Sequence, residues 1–359
     1  MKNLKKIILY IFLPFGLIFL FILFFNILFL DFRYAHKSYA TYHDHFNWVS
    51  YKFKVGLLKG LNKFNTKTEE GLPREDFYIS LRSQQNLLDD VPKSTKLWQK
   101  ASFVANNNEV KEIQIRHKGD NPANWLFSKK SWRIKSRKEE QFDRYRYYDY
   151  IPYVLGDYIS GKIANDIDIL SPNYKLVELF INDESAGIYI KSEKINENFL
   201  RRNRIMPVNI YKGEQILIEA IIGEDHNLFG NHNIWSKVAF FNKVDPKQKK
   251  DLIDFLNVLI MSKNSKENFN KLINKIDIDK WAKFAAYQII AQNYHNDNYH
   301  NMRLLLDPWT GKASPIVYDP LLGNQLFTDE LLHFEKSSHN LLLLLNVNSF
   351  FIDKKYKEL

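Results

Sequence analysis

The 359-residue chain contains no cysteine. That single absence removes disulfides, thiolate catalysis and every cysteine-based zinc site from consideration. No block of six basic residues occurs and no nucleic-acid module is visible. The formal charge of +10 arises from lysines interleaved with 41 acidic residues, and nucleic acid is not expected as a partner. A serine-nucleophile elbow of the type G-x-S-x-G is missing, so serine hydrolase chemistry has no support. Internal repeats are missing as well. A hydrophobic content of 45% nevertheless suffices for a packed core, and the basic excess suits a membrane surface or a phosphate-bearing ligand.

What the chain does have begins with an uncharged run. Ile7 to Leu30 contains 24 residues without a charge, ended by Asp31 and Arg33. At about 1.5 Å per residue, such a run crosses a hydrocarbon core of about 30 Å. It is longer than the apolar stretch of a cleaved signal peptide and no cleavage site follows, so a retained single-pass anchor is expected over 7–30. Lys2, Lys5 and Lys6 precede it, while Arg33 and Lys37 follow. The bias favours a cytoplasmic N-terminus, with the main domain outside the cytoplasm. Residues 31–74 then form a juxtamembrane linker. Within it, Trp48, Tyr51, Val55, Leu58 and Leu61 recur at helical spacing, for a helix that lies either in the membrane interface or on the domain's own surface.

From residue 75 the pattern changes to strands. DFYISLR, a hairpin in KASFVANNNEVKEIQIRHKG turning at Asn106–Asn108, and the alternating KKSWRIKSR are candidates. A helix is expected over 152–168. KLVELFINDESAGIYIKSEKI reads as two apolar strands around an Asn182–Asp183–Glu184 turn. Residues 201–245 are polar and read as a loop-rich insertion. Helices follow at about 246–262, 266–275 and 278–293, the last capped by Asp277 or Asp279 and carrying a Trp281, Phe284, Ala285, Ile289 core stripe. The order predicts an α+β fold: a kinase-like two-lobed domain over 75–359. Its sheet-rich N-lobe spans about 75–200, the insertion 201–245 and the helical C-lobe 246–359.

The most informative stretch is HNDNYHNMRLLLDPWTGKASPIVYD, residues 295–319. It sets Asp297 four positions before Asn301, then a strand from Met302 to Leu306, a DPWTG turn, and a second strand ending on Asp319. An Asp to orient a hydroxyl, with an Asn and a second Asp to hold a divalent metal, is minimal equipment for phosphoryl transfer, which needs positioning and charge neutralisation. Protein kinases mount these three groups on a helix, loop and hairpin, although the spacing here is one residue shorter than their D-x-x-x-x-N. Asn and Asp are also ordinary turn residues, so turn chemistry stands beside the metal-and-phosphate reading. His295 and His300 flank the site without a spaced partner for zinc, and His226 and His232 read as solvated.

Four ordered segments resemble the CotH family, atypical kinases first known from spore coats. RHKGDNPANWLFSKKSWRIKS at 116–136 is similar to its RGNS…FPKKSYRIKL region. LFINDESAGIYIKSEKIN at 179–196 is similar to its LFVNGEYAGLYLLVEKID hairpin. Residues 278–319 resemble its helix running into D…HN, a D-P-x-T-G-K turn and a strand ending in WD. The tail LLLLLNVNSFFIDKKYKEL resembles the stretch after its core. The resemblance spans about residues 75 to 359. It implies an ATP-dependent kinase using Mg²⁺ or Mn²⁺. Asp297 would be catalytic, beside the acceptor hydroxyl, and Asn301 and Asp319 would be metal ligands. Lys135 would be the phosphate-pairing lysine, with Lys130 its rival. Glu193 would lie either near the nucleotide or in a surface salt bridge, and His117, Lys118 and Gly119 could approach phosphate. The implied function is transfer of the γ-phosphoryl to a Ser or Thr hydroxyl of a cell-envelope protein. The alternative is a catalytically degenerate scaffold of the envelope. Two departures bear on that choice. W-D-x-D becomes Tyr318-Asp319-Pro320-Leu321, and RGNS becomes His117-Lys118-Gly119-Asp120-Asn121. The chain also ends soon after the core-like segment, so an incomplete C-terminal lobe is the expectation.

Overall fold

The computed structural model describes residues 14–21 and 71–359, apart from 92–93, 105–109, 120–122, 127–128, 142–144, 153, 215–226, 242–247, 294 and 321–338. Most of the expected anchor, the linker helix at 47–64, the Asn106–Asn108 turn, Asp120, Asn121, His226 and Leu321 lie outside the described residues. Residues 14–21 are helical, and no helix among the described residues is long and apolar enough to cross a membrane.

Two compact units make up the chain. The first comprises 1–140, 150–152 and 177–189; the second comprises 141–149, 153–176 and 190–359. The architecture is mixed α+β, as its sequence predicts. In order, the elements of the strand-rich part are β1 (Arg74–Tyr78), α1 (Leu81–Asp89), β2 (Gln99–Val104), β3 (Val110–His117), α2 (Ala123–Leu126), β4 (Trp132–Ser136), β5 (Tyr147–Pro152), α3 (Leu155–Asp166), β6 (Tyr174–Ile181) and β7 (Glu184–Glu193). Seven strands close into a barrel in the order β1-β2-β3-β4-β5-β7-β6. β1 joins β2 antiparallel and β6 parallel, and the parallel pairing completes the circle and removes a sheet edge. Alternation drives the inward packing. Ile113, Ile115 and His117 on β3 and Trp132, Ile134 and Ser136 on β4 are buried, with less buried residues between them. Phe77 packs edge-on against Tyr150, with ring centroids 4.9 Å apart.

DFYISLR does not run as one strand. Ser80 accepts a hydrogen bond from the Ser83 N–H and caps α1, so the chain leaves the sheet after Tyr78. The β6–β7 hairpin turns on Asn182 and Asp183, whose φ values of 51° and 65° are left-handed. Two such residues make the turn whose twist matches that of the flanking strands. The Asn182 side chain both accepts from the Ile79 N–H and donates to the Ile79 carbonyl, which holds the turn against the end of β1.

The helix-rich part continues with α4 (Glu197–Arg202), β8 (Asn209–Gly213), β9 (Trp235–Ala239), α5 (Lys250–Met261), α6 (Lys266–Asn274), α7 (Ile278–Ile290), β10 (Met302–Asp307), β11 (Lys312–Ile316), α8 (Asn340–Leu345) and α9 (Ser349–Lys357). A four-stranded antiparallel sheet runs β11-β10-β8-β9. The stretch 201–245 therefore supplies two strands rather than loops alone, and β8 is the inner neighbour of β10. Its side chains explain the difference. Within β8 only Ile210 and Tyr211 are apolar, both fully buried and adjacent, so the strand shows no alternating signal long enough to stand out. The principal core gathers Trp235, Leu252, Phe255, Trp281, Phe284, Tyr287, Leu304 and Phe351 around this sheet.

Candidate functional site: the loop between α7 and β10

α7 starts where Asp277 accepts a hydrogen bond from the Lys280 N–H at 3.3 Å, the first of the two caps the sequence offered. Trp281 and Phe284 bury its inner face, and the Trp281 indole N–H donates to the Ala313 carbonyl at 3.0 Å. That bond fixes the helix to β11. β10 is buried from Met302 to Leu306, and at its far end Asp307 accepts from the Trp309 N–H and the Thr310 hydroxyl in the DPWTG turn. Helix and hairpin are thus both anchored in the core; the polar loop between them, residues 291–301, carries Asp297 and Asn301, and Asp319 follows β11.

The structure sets Asn301 and Asp319 against the imidazole of His295, and Asp297 against that of His300. Asn301 Nδ2 is 3.1 Å from both His295 ring nitrogens, and Asp319 Oδ2 is 3.3 Å from His295 Nδ1. The ring of His300 lies 6.3 Å from that of His295, nearly parallel to it. His300 Nδ1 in turn sits 3.0 Å from both Asp297 oxygens. Asp297 Oδ1 also accepts the backbone N–H groups of Tyr299 and His300, each at 2.7 Å. The turn chemistry expected of this loop is thus present at Asp297.

Charge within this cluster is set by its own members. Burial raises the energy of an Asp297 carboxylate, but the His300 side chain and the two N–H donors outweigh it and hold its pKa below 3.8. The carboxylate is ionised at neutral pH, an acceptor suited to orienting a hydroxyl. Burial likewise opposes charge on His295, yet its bond and attraction to Asp319 prevail and lift its pKa above 6.5. Asn301 and Asp319 both hold left-handed backbone, with φ of 54° and 51°. Such conformations are uncommon for residues other than glycine and concentrate at functional sites.

Among the described residues no group of three or more His, Asp or Glu side chains is arranged to hold a metal ion. The oxygen donors that the resemblance assigns to a metal are a carboxylate on Asp319 and the amide oxygen of Asn301, with the Asp297 carboxylate and the His295 and His300 rings beside them. Hard oxygen donors in that small number fit Mg²⁺ or Mn²⁺, which keep waters and phosphate oxygens as their remaining ligands. They do not fit zinc.

The other sequence candidates make contacts of their own. Lys130 and Lys135 belong to the first unit. The Lys130 ammonium is buried and donates to the Trp125 carbonyl. Lys135 occupies a half-buried position on β4, its Nζ 4.6 Å from the centre of the Trp98 ring. His117 is buried, stacked on Trp132 and bonded to the Leu87 carbonyl, and burial pushes its pKa down to about 4. Glu193, in the second unit, is taken up by an ion pair with Arg202 at 2.5 Å and by the Asn173 N–H at 2.9 Å. Its side chain is 1% exposed, so the salt bridge weighed for it is an interior one. The residues that sequence reasoning passed over are Asn293 and Asn296. Both are buried, and the only signal for them was an asparagine-rich run directly after an apolar helix.

A strand-rich unit, a helix-rich unit and an Asp/Asn cluster on a helix–loop–hairpin define a mixed α+β protein with one polar loop site on a rigid base. More narrowly, the chain belongs to the CotH kinase protein family, which matches residues 115–340 and so includes the whole loop from Asn293 to Asp319. It is also 21% identical over 281 residues to the inner spore coat protein H of Bacillus subtilis (strain 168), a match that covers 74% of this chain and 73% of that protein.

Proposed function

We propose that this protein is a kinase-like phosphotransferase of the cell envelope. It transfers the γ-phosphoryl group of ATP to a Ser or Thr hydroxyl of an envelope protein. The observation that carries the reading is the pairing of Asn301 and Asp319 with His295, next to the His300–Asp297 pair, inside the region that matches the family. In the transfer, the bond from phosphorus to the ADP oxygen breaks as the acceptor oxygen bonds to phosphorus. The acceptor's proton leaves toward Asp297, whose carboxylate is ionised and fixed by two backbone donors. A divalent cation, when bound, neutralises charge on the phosphates, and Asp319 and Asn301 are the residues that would hold it. Of the two lysines, Lys135 keeps the phosphate-pairing role, because the Lys130 ammonium is buried against a backbone carbonyl. The uncharged run from Ile7 to Leu30 supports membrane attachment.

One observation favours a second reading, a scaffold that binds nucleotide without turnover. Pro320 and Leu321 follow Asp319, so a single carboxylate stands where the resemblance leads one to expect two. The test is ATP binding to the full chain with and without Mg²⁺ or Mn²⁺, read as thermal stabilisation and compared with Asp319→Ala. Metal-dependent stabilisation that disappears in the variant supports a nucleotide site. No stabilisation of folded wild type at millimolar ATP rules out both nucleotide readings.

A further inference from the structure

We infer that Asn296 is the positioning residue of this site, a buried clamp that sets the backbone of both proposed metal-binding residues at once; the inference rests on the phosphotransferase reading above. Asn296 is 1% exposed and its amide is saturated. Nδ2 donates to the Asn301 carbonyl at 3.2 Å and to the Tyr318 carbonyl at 2.9 Å. Oδ1 accepts from Asn293 Nδ2 at 2.8 Å, and the Asn296 backbone carbonyl accepts from Gln288 Nε2 at 2.9 Å. The two carbonyls held by Nδ2 are the carbonyl of Asn301 itself and that of the peptide entering Asp319. One planar group thus joins the loop before β10 to the chain leaving β11.

Both residues whose peptides are clamped have positive φ. A left-handed asparagine or aspartate relaxes to ordinary backbone unless its surroundings determine the conformation. Asn296 supplies that determination. Its side chain is the one type that offers two donors and an acceptor on so short a stem; aspartate has no donor, and glutamine carries the amide one methylene too far.

The clamp is itself held from α7 and from the loop. Gln288 on α7 holds the Asn296 backbone carbonyl, and Asn293, whose Nδ2 donates to Asn296 Oδ1, accepts from the His295 N–H through its own Oδ1 at 3.0 Å. Asn293 is buried and thus supports the amide that ends on the two peptides. Supporting residues of this kind change metal affinity by roughly 10- to 100-fold when removed, although they touch no ligand.

The experiment uses the full chain, with Mn²⁺ and ATP as probes, and compares wild type, Asn296→Ala and Asn293→Ala. In Asn296→Ala, the Mn²⁺ concentration giving half-maximal ATP-dependent stabilisation is expected to rise about tenfold or more. ATP binding without metal should be unchanged. Amide exchange at 299–303 and 317–320 should accelerate while α7 keeps its protection. Lower thermal stability with an unchanged Mn²⁺ midpoint would mean that Asn296 is only structural, and the inference would be overturned. If Asn296→Ala does not fold, Asn293→Ala, which leaves both Asn296 donors in place, must still raise the midpoint; an unchanged midpoint there also overturns it. If wild type shows no metal-dependent ATP binding, the phosphotransferase reading fails by itself. The clamp is then judged by exchange: acceleration confined to the two segments supports it, and uniform or absent acceleration refutes it.

Discussion

Gly161→Ala is a substitution for which two ordinary effects oppose each other and the structure decides the sign. Gly161 is buried in the interior of α3, where replacing glycine by alanine normally stabilises a helix by about 1 kcal/mol. Here an added Cβ would lie 2.5 Å from Tyr174 Cδ2, 2.7 Å from Cε2 and 3.1 Å from Cγ. Carbon atoms prefer roughly 3.5–4.0 Å, so the ring or the helix must retreat by about 1 Å. Tyr174 is itself buried, which leaves the ring no solvent to rotate into. Overpacking of this kind costs about 1–3 kcal/mol, and subtracting the helical gain leaves a net loss of up to about 2 kcal/mol. Urea denaturation should show a lower midpoint at constant slope. A double-mutant cycle with Tyr174→Ala locates the cause, because the clash vanishes with the ring and the two changes should couple by about 1 kcal/mol or more. A Gly161→Ala protein more stable than wild type by the full helical gain of about 1 kcal/mol would refute the close approach of α3 to Tyr174.

Two further outcomes follow from buried charge. His117 and His339 are both buried, and burial holds their pKa values at about 4 and about 3 in the folded protein against 6.5 when unfolded. As pH falls below 6.5 the unfolded chain takes up protons that the folded chain refuses. Stability should therefore drop by up to about 1.4 kcal/mol per histidine per pH unit down to about pH 4, and equal denaturation midpoints at pH 7 and pH 5 would contradict this. Arg202→Ala leaves the Glu193 carboxylate in the interior without its cation, which should cost about 3–5 kcal/mol by denaturant unfolding; a loss below about 1 kcal/mol would show the pair to be dispensable.

Much of this was legible in the residues. β3 and β4 announce themselves by strict alternation, the Asn182–Asp183 turn by its residue types, and α7 by its cap and its Trp281 and Phe284 stripe. Closure of the barrel was not, because the parallel pairing of β1 with β6 joins segments about a hundred residues apart and leaves no local trace. β8 escaped notice since only Ile210 and Tyr211 within it are apolar and fully buried. At the site, Asp297, Asn301 and Asp319 stood out by chemistry and order. Asn296 did not: an asparagine in a loop looks the same whether it faces water or bridges two buried peptides. Its role depends on Tyr318 returning beside Asn301, a consequence of the hairpin rather than of any nearby residue.

The measurement that bears most directly on the central proposal is ATP affinity of the full chain, titrated with and without Mg²⁺, for wild type and Asp319→Ala. The account predicts binding that strengthens about tenfold or more with metal in wild type and loses that dependence in the variant, with the fold intact. Binding equally strong in both proteins, or metal dependence that survives without Asp319, would contradict it.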